Sequence, residues 1–113
     1  MEKTDKPWGY EELLIKTDSY AMKRILIDSG HRMSLQYHEK KEETIYVISG
    51  TLIVWKSEEF LDHITVLPGD VYHVAPKSVH RFGSPDGVIT TIIECSTTEL
   101  EDVVRLADDY NRN

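Results

Sequence analysis

Four side chains with metal-binding chemistry stand out: Gln36, His38 and Glu43 within eight residues, and His80 much further along the chain. The first three lie in GHRMSLQYHEKKEETIYVISG (Gly30–Gly50), the fourth in PGDVYHVAPKSVHRF. On a strand, residues two apart share a face. Gln36 and His38 therefore point the same way, and Tyr37 the other. Glu43 opens the next strand, and the short charged run Glu39–Glu42 returns it beside His38. One amide oxygen, two imidazoles and one carboxylate form a mixed nitrogen and oxygen donor set without thiolate. Such a set suits zinc, iron, manganese, nickel or copper, with open positions for substrate oxygens or water. Nothing in the spacing brings His80 to the other three; a fold that lays the second stretch over the first is required. The same residues also read as ordinary surface: a Gln-x-His on an exposed strand, a solvated Glu in a charged run, a packed His before Arg-Phe. Spacing alone leaves both readings open.

The surrounding pattern is a run of short strands punctuated by Gly and Pro. Strands are expected at GYEELLIK, YAMKRILID, 32–38, TIYVI, LIVW, HITVL, VYHVA, VHRF and VITTIIEC. TIYVI is apolar on both faces and β-branched, as a buried strand is. Turns are expected at Thr17-Asp18-Ser19, Ser29-Gly30, Ser49-Gly50, Pro68-Gly69-Asp70, Pro76-Lys77-Ser78 and GSPDG. Residues 1–7 read as a polar lead, broken by Pro7-Trp8-Gly9. After Thr98, Leu100, Val103, Val104 and Ala107 fall close to helical spacing, which predicts a short C-terminal helix or turn. Strands every eight to twelve residues indicate an all-β antiparallel sandwich or barrel, best matched by a jelly roll.

With 113 residues, the chain is long enough for one compact domain, expected over 1–113. The net charge of −7 argues against a sequence-independent grip on nucleic acid. Cys95 is the single cysteine, so no internal disulfide forms. The first residues carry no apolar signal region, and no run approaches the ~20 residues of a membrane span. A cytoplasmic protein without membrane partners is the expectation.

The two stretches together resemble the paired motifs of the cupin superfamily. The first motif, G-x5-H-x-H-x4-E-x6-G, is matched at every spacing by Gly30, Gln36, His38, Glu43 and Gly50, with Gln36 in place of the first histidine. In the second, G-x5-P-x-G-x2-H-x3-N, Gly69 and His80 fit, while Ala75, Lys77 and Ser84 replace its Pro, Gly and Asn. A narrower resemblance runs through KPWGYEELL, MKRILIDSGHRMSLQYH, VISGT, PKSVHR and EDVVRLADDYNR: these look like the type II mannose-6-phosphate isomerase domain, usually the C-terminal part of bifunctional mannose-1-phosphate guanylyltransferases. There Gln-x-His is normal. The histidine-rich segment that often follows the metal histidine is here Glu39-Lys40-Lys41. The guanylyltransferase part is not in this sequence, so synthesis of GDP-mannose is not implied.

The resemblance implies a cupin barrel holding one divalent metal on Gln36, His38, Glu43 and His80, with zinc the first choice and iron, manganese or nickel as alternatives. It implies interconversion of mannose 6-phosphate and fructose 6-phosphate through a cis-enediol(ate). With those four residues committed to the metal, His73 is the candidate for proton transfer, or else a packed strand histidine. Arg32, Lys41, Lys77 and Arg81 surround the motifs as phosphate candidates; Arg81, next to His80 on a strand, should face away from the metal. Trp8 and Tyr46 read as structural. The apolar faces of TIYVI and VITTIIEC suggest a homodimer. Competing functions on the same scaffold are an iron-dependent oxygenase or other small-molecule enzyme, a non-catalytic sugar-binding module, and a barrel with a vestigial site.

Overall fold

The computed structural model describes residues 2–112. Eleven strands are formed: β1 Glu2–Lys6, β2 Gly9–Lys16, β3 Ala21–Ile27, β4 Leu35–Tyr37, β5 Glu43–Ser49, β6 Leu52–Trp55, β7 His63–Val66, β8 Val71–Val74, β9 Arg81–Gly83, β10 Thr90–Ser96 and β11 Val104–Ala107. One sheet runs β1-β2-β3-β10-β5-β8. The facing layer is built from β7-β6-β9 and β11-β4. Bridges Arg32↔Gly83 and Gln36↔His80 join those two pieces. Every paired strand is antiparallel. The expected all-β jelly roll is what the chain adopts.

Alternation explains the layers. In β3 and β10, residues at every second position are buried: Ala21, Lys23, Ile25 and Ile27, then Thr90, Ile92, Glu94 and Ser96. The apolar members meet Ile45, Val47, Leu52, Val54, Val74 and Phe82 between the sheets. Burying such side chains contributes about 1.5–3 kcal/mol each. Toward one end of the sandwich the inward row changes from apolar to ionisable, and that is where the site forms.

Two expectations are corrected. The polar lead is strand β1, paired with β2 from Glu2↔Leu13 to Lys6↔Gly9; its residues are polar because β1 is the edge of its sheet and stays mostly exposed. Of the C-terminal helix or turn, a turn forms at 100–101 and no helix among the described residues: Val104–Ala107 is a strand beside β4, with alternating exposure. Val103-Val104 is β-branched, and the unpaired edge of β4 offers a ladder that a lone helical turn would leave unsatisfied.

Turn chemistry is strict at two glycines. Gly9 has φ +151°, and a Cβ there would lie 1.9 Å from the Leu26 carbonyl oxygen. Gly50 has φ +83°, and its Cβ would lie 2.4 Å from the Ile89 carbonyl oxygen. Only a residue without Cβ fits either site. No helix of the described chain is long and apolar enough to cross a membrane.

Candidate metal centre

His38 follows β4, Glu43 begins β5 and His80 precedes β9. The pairing of Gln36 with His80, with backbone hydrogen bonds of 2.9 Å in both directions, brings the two sequence motifs together. One donor atom from each of His38, Glu43 and His80 lies within 4.8 Å of the others. Glu43 is central: its Oε2 is 3.8 Å from His38 Nε2 and its Oε1 3.6 Å from His80 Nε2. All three residues are buried.

Their hydrogen bonding selects a metal-ready state. The Ser78 carbonyl accepts from His80 Nδ1 at 2.9 Å, and the Asp102 carbonyl accepts from His38 Nδ1. Each ring therefore presents an unprotonated Nε2 to the other. Both Nε2 atoms and Glu43 Oε2 are buried without a hydrogen-bond partner. The two imidazole nitrogens carry a desolvation cost of about 1–3 kcal/mol each, which a shared divalent cation would remove. Burial pushes His80 down to about 4, aided by His38 and Lys41, so it is a neutral donor at pH 7. The residues fit a metal.

Gln36, the fourth expected donor, lines the same cavity; its Oε1 accepts from Ser34 Oγ at 2.6 Å. The cavity encloses about 100 Å³. Beside the donors lies a buried ionic group missed by motif reasoning: Lys41 Nζ sits 3.0 Å from Glu43 Oε2 and 3.0 Å from Glu94 Oε2. These are ion pairs without the alignment of hydrogen bonds, since both carboxylate oxygens remain unbonded. Burial opposes the Lys41 charge, but Glu94 and Glu43 outweigh it and raise its pKa. Burial, then the Glu43 charge, raise Glu94 above the usual carboxylate range. Alternation could have found Glu94: in TTIIECS it shares the inward face with Ile92.

The loop between His38 and Glu43 is held from outside. Asp102 accepts the backbone N–H groups of Glu39, Lys40 and Lys41 at 3.1, 2.8 and 3.1 Å. The Lys40 N–H leads in keeping Asp102 below the ordinary Asp range.

The other expected residues are placed elsewhere. His73 pairs with Thr44 on the outer face, exposed, with Nε2 2.6 Å from Glu42 Oε2; it is outside the cavity lining. Arg81 is buried and faces away from the donors, donating to the Met33 and Ala107 carbonyls. Arg32 holds Asp109 through Nε at 2.5 Å and Nη2 at 3.0 Å. Lys77 is an exposed turn residue at φ +66°. Of the four phosphate candidates only Lys41 lines the cavity.

The model of the family described as mannose-6-phosphate isomerase C-terminal matches residues 1–108. The chain belongs to this family. Its curated relatives include the xanthan biosynthesis protein XanB of Xanthomonas campestris pv. campestris, 30% identical over 97% of this chain and 24% of the relative. A mannose-1-phosphate guanylyltransferase of Salmonella muenchen is 30% identical over 89% of this chain and 21% of the relative. The chain thus spans about a quarter or less of these relatives. Among solved structures, KdgF from Halomonas superposes with a TM-score of 0.74 at 18% identity, covering 89% of this chain and 92% of that one. A cupin-like protein of Thermotoga maritima gives 0.75 at 19%, covering 88% and 76%. A cupin-superfamily sugar phosphate isomerase of Silicibacter pomeroyi gives 0.66 at 18%, covering 79% and 59%. These neighbours show the cupin fold.

Proposed function

We propose that this domain is a metal-dependent sugar-phosphate isomerase interconverting mannose 6-phosphate and fructose 6-phosphate. The observation that carries the reading is two buried ionisable sets side by side: the donors His38, Glu43 and His80, within 4.8 Å of one another, and a carboxylate and ammonium, Glu94 and Lys41, which line one cavity with His38 and Glu43 and are not needed as ligands. Both serve an aldose–ketose conversion, the cation as electrophile and the carboxylate as base. His38, Glu43 and His80 would hold the cation, with Gln36 on the same wall; zinc is the first choice for this donor set. When bound, it would supply charge stabilisation for the sugar oxygen that turns anionic.

The protein groups do the rest. Glu94 accepts the proton from C2 and returns it to C1, while the hydroxyl proton passes from O2 to O1; burial, which raises the Glu94 pKa, makes it a stronger base than a free carboxylate. The Lys41 ammonium stays beside it, balancing the carboxylate while the proton is away. Trp8, Ile25, Met33 and Phe82 supply an apolar part of the wall, and would limit water at the carbanion-like centre. His73 has no part in this scheme.

The test is turnover of mannose 6-phosphate coupled to fructose 6-phosphate detection, with metal content measured on the same samples. His38→Ala and His80→Ala lose metal and rate together. Glu94→Gln keeps the metal and loses about 10²- to 10⁴-fold in kcat. Turnover unchanged in Glu94→Gln removes Glu94 from the mechanism; saturable sugar binding without turnover in the wild type leaves a binding module instead. A homodimer belongs to the same reading: Tyr46, Ile48 and Val71 stand exposed together on the outer face of β5 and β8, and a second copy would cover them.

A further inference from the structure

We propose that a phosphate monoester docks its phosphoryl group on Arg105 and Lys6, at the opening of the metal cavity. The inference deepens the isomerase reading and rests on it only for the identity of the sugar.

Five cations line the cavity: Lys6, Lys23, Lys41, Arg105 and Arg112. Three are neutralised within the protein. Lys23 pairs with Glu11 at 2.9 Å, Lys41 with Glu43 and Glu94, and Arg112 with Asp108 at 2.9 and 3.0 Å. Arg105 and Lys6 have no ion-pair or side-chain hydrogen-bond partner among the described residues. Arg105 carries a sharper signal: its Nε is buried without any acceptor. A desolvated guanidinium N–H left unpaired is costly, and an anion bound there removes the cost through a strong charge-assisted bond.

The position suits a substrate that reaches the metal. Arg105 on β11 lies directly opposite Gln36 on β4, and Gln36 lies opposite His80. Residues directly opposite in an antiparallel ladder share a face, so Arg105 flanks the donor wall. Lys6 ends β1 on the other side. Both also line an outer cleft of about 430 Å³ that continues from the cavity. Glu2 and Glu101 line only that cleft, so the inner boundary offers an anion two unbalanced positive charges. A sugar entering from the cleft would leave its phosphoryl group at this boundary and its reacting carbons inside. The arginines nearest the motifs in sequence cannot serve in this way, because Arg32 and Arg81 already share Asp109.

The experiment is isothermal titration with inorganic phosphate and with mannose 6-phosphate, on metal-loaded and on chelator-treated protein. Inorganic phosphate is expected to bind both forms, and Arg105→Gln to weaken it about tenfold to a hundredfold. Lys6→Ala weakens it several-fold, Arg105→Lys recovers part of the loss, and Lys77→Gln, outside the cavity, changes nothing. Phosphate affinity that disappears with the metal, that is absent from the wild type, or that survives in both Arg105→Gln and Lys6→Ala overturns the proposal. Should Arg105→Gln fail to fold, Lys6→Ala decides, since β1 is an edge strand. Absence of turnover with phosphate binding intact refutes the isomerase and leaves the subsite standing.

Discussion

At the scale of single residues, the decisive contact is made by the backbone of Asp102. Its carbonyl fixes His38 with Nε2 inward, and its carboxylate gathers three N–H groups of the loop that follows. Asp102→Ala keeps the carbonyl that orients His38 but frees the three N–H groups of the loop between His38 and Glu43; it is expected to leave the fold intact and weaken metal affinity about tenfold by loosening that loop, and competition against a chromogenic chelator measures it. Asp102→Asn, which keeps an acceptor, should lie between. His80 sets a pH response in the metal-free protein. Its folded pKa lies near 4, below the ordinary 6.5, so the unfolded chain binds the proton first. Stability is full above about pH 6.5 and declines as pH falls toward 4. Chemical denaturation of chelator-treated protein should show that decline, reduced in His80→Gln.

At the scale of elements, β4 and β11 explain both what was legible and what was not. β-Branched apolar runs between turn residues placed TIYVI and VITTIIEC as strands, but TIYVI, read as buried on both faces, buries only one: Ile45 and Val47 face the core while Tyr46 and Ile48 stand exposed. Gln36 and His38 were legible because residues two apart on a strand share a face. Strand β11 was obscured by Leu100, Val103, Val104 and Ala107, whose spacing also suits a helix; its state is decided by the partner edge Leu35–Tyr37, far away in the chain, which no local pattern records. Glu94 hid inside an apolar strand for the converse reason, being a charged residue on the buried row. Arg105 hid because its significance lies in the partner it lacks. At the β1–β2 turn, Gly9→Ala would drive its Cβ into the Leu26 carbonyl. A loss of at least about 3 kcal/mol is expected, read as a lowered midpoint of denaturation.

At the scale of the whole molecule, the two ends of the chain close the site. Strand β1 and the turn at 100–103 face each other across the outer cleft. The tail is then anchored by Asp109 on Arg32 and Arg81, by the Asp108–Arg112 fork, and by Tyr110 stacked on His31. The Arg112 fork holds Asp108 at about 2; that carboxylate therefore supports the fold above about pH 4 and its contribution fades as pH falls toward 2. Asp108, Asp109 and Tyr110 in the closing run thus serve the architecture, while Val103, Arg105 and Arg112 reach the cavity. On the outer surface, Val71→Lys is expected to convert a dimer to a monomer with activity retained, as read by light scattering. An unchanged mass would move the interface elsewhere.

Trp8, 4% exposed, forms part of the cavity wall. Trp55 is held apart from that cavity, its indole N–H donated to the Phe60 carbonyl at 2.8 Å. The molecule thus contains its own optical gauge and its own reference. Open-shell ions such as nickel, manganese or copper entering the site should quench Trp8 emission, whereas filled-shell zinc should only shift it. Trp8→Phe should abolish either response and leave the Trp55 signal steady. A fluorescence titration therefore reads which ion the cavity accepts, even where catalysis is silent.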